Sequence, residues 1–244
     1  MLDPVAAYDR IGPVFASIAE KRRSYLDSVD RLVISGIPSG SRSMLDVGAG
    51  DGARARRIAQ ARDIAELVLL EPSLAMRGKV CSDAKLLAIR AEELHLVEAE
   101  FDAITCLWNV LGHIFPAVAR LEVLHQFARL ISPHGRIFID VLHRYNLRHY
   151  GAIPTALRFL RDHLRWKDTN GDVVIAWDVD EVRCTTRGHV FTHREFRSLA
   201  QTAGLKIEKR FAVDYATGEC RRWSIQGHLL YVLRIADRNV QQTS

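Results

Sequence analysis

The chain has 244 residues, 48% of them hydrophobic and 26% charged, with a formal net charge of +5 at pH 7. That length suits one large α/β domain whose core need not split, and no apolar run approaches a membrane span. The start Met1-Leu2-Asp3-Pro4 lacks the basic-then-apolar order of a secretion signal, so a cytoplasmic protein with no membrane partner is expected.

Four cysteines, Cys81, Cys106, Cys184 and Cys220, show neither Cys-x-x-Cys spacing nor paired histidines, which argues against a disulfide framework, a structural zinc or any other metal site. Cys106 sits in an apolar strand pattern and reads as a small buried hydrophobe. Val5 to Ala19 and Ser24 to Ile34 read as helices interrupted by Lys21-Arg22-Arg23, with Leu26, Val29, Leu32 and Val33 on one face. Gly36-Ile37-Pro38-Ser39-Gly40 ends this region.

The apolar run Met44 to Val47 then breaks into Gly48-Ala49-Gly50-Asp51-Gly52, and a helix follows from Asp51 to Ala61. Glycines there let the backbone turn sharply and bring bare amides against a ligand the size of a nucleoside. Asp46 stands just before the turn. Glu71 closes the second apolar run, Leu67 to Leu70, a little beyond the roughly 20 residues at which an acid takes a ribose hydroxyl in dinucleotide folds. Two carboxylates beside a glycine turn suit a cationic, ribose-bearing ligand better than a pyrophosphate. Gly48, Gly50 and Ala53 also satisfy Gly-x-Gly-x-x-Ala, so a dinucleotide oxidoreductase is the rival reading, and a non-catalytic cofactor binder is another.

At these residues the chain resembles the class I S-adenosylmethionine-dependent methyltransferases, whose first motif is an acid followed by Gly-x-Gly-x-Gly and whose second strand ends in an acid on the ribose. The resemblance implies S-adenosylmethionine as cofactor and S-adenosylhomocysteine as product, held by Asp46, Gly48, Ala49, Gly50, Glu71 and Pro72. It also implies that residues 1–40 form a helical cap over the methionine end of the cofactor. Tyr8, Arg23 and Tyr25 are the candidates to close it.

Ser73 starts a short helix, and Lys85 to Arg90 reads as a third strand. Ala91-Glu92-Glu93-Leu94 resembles the family's Asp-Ala-Glu-x-Leu segment, which implies Ala91 and Glu92 at the adenine edge, although Arg90 stands where the acid usually is. Phe101 to Trp108 alternates little, as a central parallel strand buried on both faces should. It runs into Asn109-Val110-Leu111-Gly112-His113. Ligands of open α/β sheets bind outside the carboxyl ends of the strands, which puts Leu107, Trp108, Asn109 and His113 at the pocket. This stretch resembles the Asn-x-Leu-x-His fourth motif of small-molecule methyltransferases. The Asn/Asp-Pro-Pro-Tyr motif of enzymes acting on nucleobase amines is absent from the sequence.

A helix from Phe115 to Leu130 and a turn at Ile131 to Gly135 introduce the fifth strand, Arg136 to Leu142, with Asp140 near the pocket. Residues 143–191 then leave the minimal fold, and insertions here lid the substrate pocket in the resembled family. His143, Arg144, Tyr145 and Asn146 are candidates to contact substrate, and Arg144 would suit a carboxylate. Pro154 to Trp166 is an amphipathic helix, with Leu157, Leu160 and Leu164 on one face and Arg158, Arg161 and Arg165 on the next. Residues 142–167 hold six cations against Asp162 alone, which equals the whole net charge. Such a patch meets an acidic small substrate, solvent, or phosphates, so an RNA methyltransferase is an alternative. Asn170-Gly171 signals a turn, after which Val173 to Val182 and His189 to Phe191 pair as antiparallel strands.

Thr192 and Glu195 form a capping box that starts the helix Phe196 to Ala203. Lys206 to Tyr215 and Ser224 to Ile235 are strands joined by Ala216 to Glu219, too short a link for a parallel crossover, so an antiparallel hairpin is expected. The whole reading is a single α/β domain over 1–244. It comprises the cap, a cofactor core over 43–142, the lid over 143–191 and a C-terminal helix and hairpin over 192–237, on a doubly wound, mostly parallel seven-stranded sheet. The expected chemistry is methyl transfer to an oxygen or nitrogen of a small-molecule acceptor. His113 serves as general base from an ordinary pKa of about 6.5, and Asn109 orients the substrate.

Overall fold

The computed structural model describes residues 2–80 and 84–236; Cys81 and the last residues of the chain lie outside them. The elements are α1 (Pro4–Ile11), α2 (Phe15–Glu20), α3 (Arg23–Gly36), β1 (Ser43–Val47), α4 (Ala53–Ala61), β2 (Glu66–Leu70), α5 (Leu74–Arg77), β3 (Lys85–Leu87), β4 (Phe101–Cys106), α6 (Ala117–Leu130) and β5 (Ile131–Val141). They continue as α7 (Leu147–Tyr150), α8 (Ala152–Leu164), β6 (Asp172–Val179), β7 (Val182–His189), α9 (His193–Thr202), β8 (Leu205–Val213), β9 (Cys220–Arg221) and β10 (His228–Ile235).

Eight strands form the main sheet in the order β3-β2-β1-β4-β5-β10-β8-β9, parallel from β3 to β5 and antiparallel from β5 to β9. These are the seven expected strands and one short edge strand. Strand periodicity divides the core in two. Leu45, Ile104, Ile137, Ile139 and Tyr231 point to the face covered by Leu124 and Phe127 of α6 and Phe196 of α9. Met44, Ala103, Phe138 and Val232 point to the opposite face, against Leu26, Val29 and Val33 of α3 and Ile58 of α4. Cys106 is fully buried in the first of these clusters, and burial pushes its thiol pKa up, which makes it an inert hydrophobe. No helix among the described residues is long and apolar enough to cross a membrane.

Several element boundaries differ from those expected. β3 spans only three residues and stops before Arg90, whose side chain leaves the sheet to pair with Asp3 at 2.8 Å. β5 begins at Ile131: the register jumps from Phe101 opposite Ile131 to Ala103 opposite Arg136, so the expected turn is an irregularity inside the strand. β4 ends at Cys106, two residues before Trp108. The insertion hairpin turns at Asp180 and Glu181, and its return strand is Val182–His189, well before the expected His189 to Phe191. That strand looks polar because Arg183, Thr185 and Arg187 face solvent while Cys184 and Thr186 face in. Finally, the Ala216 to Glu219 turn leads from β8 into β9 on one side of β8, and only then does β10 cross to pair with the other side.

The N-terminal helices and the insertion hairpin meet over the sheet. Ala7 and Ile11 of α1 pack with Cys184, Tyr8, Phe15 and Trp177 in a third cluster. The Leu2 N–H donates to the Thr185 carbonyl at 2.8 Å, and the Thr186 hydroxyl donates to the Leu2 carbonyl at 2.9 Å. Two segments some 180 residues apart thus form one roof above the carboxyl ends of the strands.

Candidate active site

The glycine turn after β1 is a close-approach site. Gly48 has φ +73°, and a Cβ there would sit 2.5 Å from Val110 Cγ2, so a side chain is excluded by both backbone and neighbour. The Gly48 and Ala49 amides donate to the Leu70 carbonyl at 2.8 and 3.0 Å. Glu71 sits beside this turn with the Gly50 amide on one carboxylate oxygen and the Ser73 amide on the other, both at 2.8 Å. Burial outweighs those two donors and pushes its pKa up to about 7. Glu71, Gly48, Gly50, Pro72, Ala91, Glu92, Leu107 and Trp108 share one cleft, closed by Tyr8 and Phe15.

A second hollow adjoins it at Gly48, Gly50, Leu107 and Trp108 and adds Asp46, Ala49 and Arg54. Asp46 accepts from the Thr105 hydroxyl at 2.5 Å, and burial raises its pKa to about 6.

The loop after β4 connects the cleft to a third and larger space. Trp108 and Asn109 both have left-handed backbones, φ 58° and 62°, a conformation that non-glycine residues hold only when surroundings fix it. Here Asp140 fixes it. One of its carboxylate oxygens accepts from the Trp108 amide at 3.0 Å, the other from the Tyr25 hydroxyl at 2.6 Å, and its carbonyl accepts from the Asn109 amide at 3.0 Å. The space beyond is a chamber of about 510 Å³ under the β6–β7 hairpin, bounded by Tyr8, Phe15, Trp108, His113, Trp177 and Tyr215 among others.

His113 lines both the cleft and the chamber. Its Nδ1 lies 3.2 Å from the Arg187 carbonyl, which can only accept, so the ring hydrogen is on Nδ1 and Nε2 carries the lone pair. The Tyr8 hydroxyl donates to that Nε2 at 3.4 Å, and the ring stacks on Trp177 with centroids 6.3 Å apart. Burial lowers the His113 pKa to about 4.

Other expected site residues go elsewhere. Asn109 is buried with both polar ends used: Nδ2 donates to the His189 carbonyl at 3.2 Å, and Oδ1 accepts from the Leu142 amide at 3.0 Å. It pins the loop to the insertion while lining the chamber. Tyr25 is buried beneath the pocket, where it holds Asp140. Arg23, the first residue of α3, is exposed and paired with Glu20 at the end of α2. Its neighbour Arg22 is the one that lines the chamber, with its guanidinium 4.3 Å from the centre of the Tyr215 ring.

His143, Arg144, Tyr145 and Asn146 do not line the chamber. The His143 amide donates to His228 Nδ1 at 2.9 Å, and Asn146 Oδ1 caps α7 by accepting the Arg148 and His149 amides. Arg144 and Asp162 form an ion pair at 2.7 Å with side chains 1% and 3% exposed, and the Tyr145 hydroxyl donates to the same carboxylate at 2.6 Å. A chain leaving a central strand is still inside the core, so these side chains fasten α8 to the sheet. His189 is hydrogen-bonded to the carboxylates of Asp172 and Glu195, whereas His193 Nδ1 and the Tyr231 hydroxyl share a hydrogen bond of 3.1 Å.

Phe15, Arg22, Tyr150, Trp177 and Tyr215 line the chamber without having been singled out from sequence, and Arg158, read there as part of a basic stripe, lines it too. For Trp177 a signal existed: Val173, Ile175, Trp177 and Val179 alternate along β6 and form its more buried side.

Residues 18–210 match a family profile described as a methyltransferase domain. No curated protein matches the chain in sequence. Among solved structures, the CcbJ methyltransferase of Streptomyces caelestis is similar with a TM-score of 0.63 at 15% identity, over 86% of this chain and 90% of that one. An amino pentose methyltransferase from Micromonospora echinaspora, solved with S-adenosylmethionine bound, has a TM-score of 0.60 at 15% identity, over 90% and 95% of the two chains. A sugar N-methyltransferase from a Streptoalloteichus species has a TM-score of 0.61 at 14% identity, over 92% of each. At these identities the likeness concerns the fold.

Proposed function

The chain belongs to the class I S-adenosylmethionine-dependent methyltransferases, and from that premise we propose that it methylates an oxygen or nitrogen of a small molecule held in the chamber beneath the insertion hairpin. The observation that carries this reading is the shared wall: Tyr8, Phe15, Trp108 and His113 bound both the donor cleft and the chamber.

The residues present fit the cofactor. Glu71 offers two carboxylate oxygens, each already held by one backbone amide, an arrangement suited to vicinal ribose hydroxyls. Pro72, Ala91, Glu92 and Ile114 give the cleft a mostly apolar slot for the adenine, and the Gly48 to Gly50 backbone and Asp46 serve the remainder. When bound, S-adenosylmethionine supplies a methyl group on a cationic sulfur.

The protein contributes position, exclusion of water and a proton acceptor. Phe15 and Trp108, with rings 5.6 Å apart, screen the junction from solvent. An acceptor O–H or N–H that displaces the Tyr8 hydroxyl gives its proton to His113 Nε2, which burial keeps neutral at ordinary pH. So weak a base takes the proton only as the new bond to carbon forms.

The RNA alternative rested on a continuous basic stripe. Arg158 instead lines the chamber, and Arg161 donates to the Asn170 carbonyl at 2.7 Å and lies 3.6 Å from Asp162. The stripe is divided, and no observation favours RNA.

The test is to incubate the protein with methyl-labelled S-adenosylmethionine and a cell extract, then separate small molecules from RNA and protein. Label is expected in the small-molecule fraction. A His113→Gln protein should bind S-adenosylhomocysteine as the parent does while transferring on the order of 10²-fold more slowly or worse. Label confined to RNA or protein would overturn the proposal.

A further inference from the structure

The chamber has an uneven charge. Lys21 and Arg22, from the turn before α3, and Arg158, from α8, all line it, while Asp178 is its single carboxylate. Asp178 is already bound by Arg183, whose Nε donates to it at 3.1 Å. Among the described residues no carboxylate pairs with Lys21, Arg22 or Arg158. This contrasts with the rest of the basic insertion, where Arg144 is neutralised by Asp162 at 2.7 Å.

The two arginines are also mounted alike. Arg22 lies over the Tyr215 ring at 4.3 Å and Arg158 over the Tyr150 ring at 3.9 Å, and Arg158 further donates to the Arg144 carbonyl at 3.3 Å. A guanidinium stacked on an aromatic face has five donors, keeps some of them for a ligand, and loses little freedom when it binds a planar anion. His149 joins them: its ring is 5.4 Å from Tyr215 and 4.5 Å from Tyr150, so it bridges the two tyrosines, and it lies close enough to both arginines that, after burial, their charges lower its pKa. The remaining walls are aromatic, with Tyr8, Phe15, Trp108 and Trp177.

We propose that the methyl acceptor is an acid, carrying a carboxylate or phosphate on a flat apolar body, with its anion clamped by Arg22 and Arg158 and its nucleophile presented to His113. This rests on the methyl-transfer reading above and narrows it. An acceptor whose only charge is an ammonium would meet three cations and no unpaired carboxylate, so the amino sugars of similar structures are poor fits for this chamber. Arg144, the sequence candidate for a carboxylate, is spent on Asp162; the role passes to two arginines that only the fold brings together.

The experiment is calorimetric titration of the full chain loaded with S-adenosylhomocysteine, using benzoate, phenyl phosphate and neutral benzamide as probes. At least one anion should bind about tenfold more tightly than benzamide, and its margin over the other tells carboxylate from phosphate. Arg22→Gln and Arg158→Gln should each remove about that factor, the worth of a charged hydrogen bond. Both variants should keep the parent affinity for S-adenosylhomocysteine, which certifies their fold, and Arg161→Gln, outside the chamber, should change nothing. Benzamide binding as tightly as both anions, or anion affinity indifferent to both arginines, would overturn the proposal. Failure to bind S-adenosylhomocysteine at all would instead strike the methyl-transfer reading beneath it.

Discussion

Glu71 is a carboxylate that the fold holds near its titration point. Burial raises its pKa to about 7 against an ordinary 4.5, while the Gly50 and Ser73 amides pull the other way. The native protein therefore keeps a proton on Glu71 that the unfolded chain has released, and the stability this contributes is full below pH 4.5 and lost as pH rises through about 7. Ligand binding has the opposite sign. Ribose hydroxyls donate to the ionised form, so S-adenosylmethionine affinity should rise as pH climbs from 6 to 8, with release of a proton on binding below pH 7. Glu71→Gln should bind weakly and without that pH dependence, which isothermal titration in buffers of different ionisation enthalpy would read; an unchanged pH profile in Glu71→Gln would assign the titration to another group. The residues around Glu71 were legible in sequence because the chemistry there is local. An acid at a strand end and glycines in the next turn need only the chain's own neighbours. Arg22 was not singled out because it lies in the turn between α2 and α3, where no helical periodicity says which way a side chain faces.

Among the elements, α8 shows how an insertion with little apolar burial is held. Its Leu157, Leu160 and Leu164 are exposed, while Thr155 and Asp162 are buried, so polar bonds do the fastening. Asp162 accepts from Arg144, from the Tyr145 hydroxyl and from Asn170 Nδ2 at 3.0 Å. Removing one member of such a pair strands its partner charge in the core. Asp162→Ala should destabilise the protein by about 3–5 kcal/mol, seen as a lower urea midpoint, and should loosen the Arg158 side of the chamber. A loss under about 1 kcal/mol would mean that Arg144 reaches water or another acceptor. Hydrophobic periodicity located α8 but left its orientation open, because the pattern marks which face is apolar and not which face is covered. β7 and β9 escaped notice for related reasons. β7 alternates polar residues outward over a thin inner face, and β9 is two residues long with no periodicity to read.

Over the whole molecule, the sheet was legible in local patterns, whereas the roof was expected only from the family resemblance, as a cap over 1–40 and a lid over 143–191, without the contacts that build it. The seven main strands follow from apolar runs, glycine turns and the lengths of the links between them. The chamber depends on contacts between α1, the loop after β4, the insertion and the turn after β8, segments whose meeting no local pattern records. The aromatic wall is the clearest case: the Trp108 indole N–H donates to the Tyr215 hydroxyl at 3.2 Å across 107 residues of sequence. What these segments enclose is the cleft beside Glu71, which shares His113 with a cationic, aromatic chamber. The direct test of that account is calorimetric titration of the purified protein with S-adenosylmethionine, S-adenosylhomocysteine and a nicotinamide dinucleotide in parallel. Binding of the first two with a stoichiometry of about one, abolished in Glu71→Ala, with none of the third, is the predicted result. Dinucleotide binding without S-adenosylmethionine binding would contradict it.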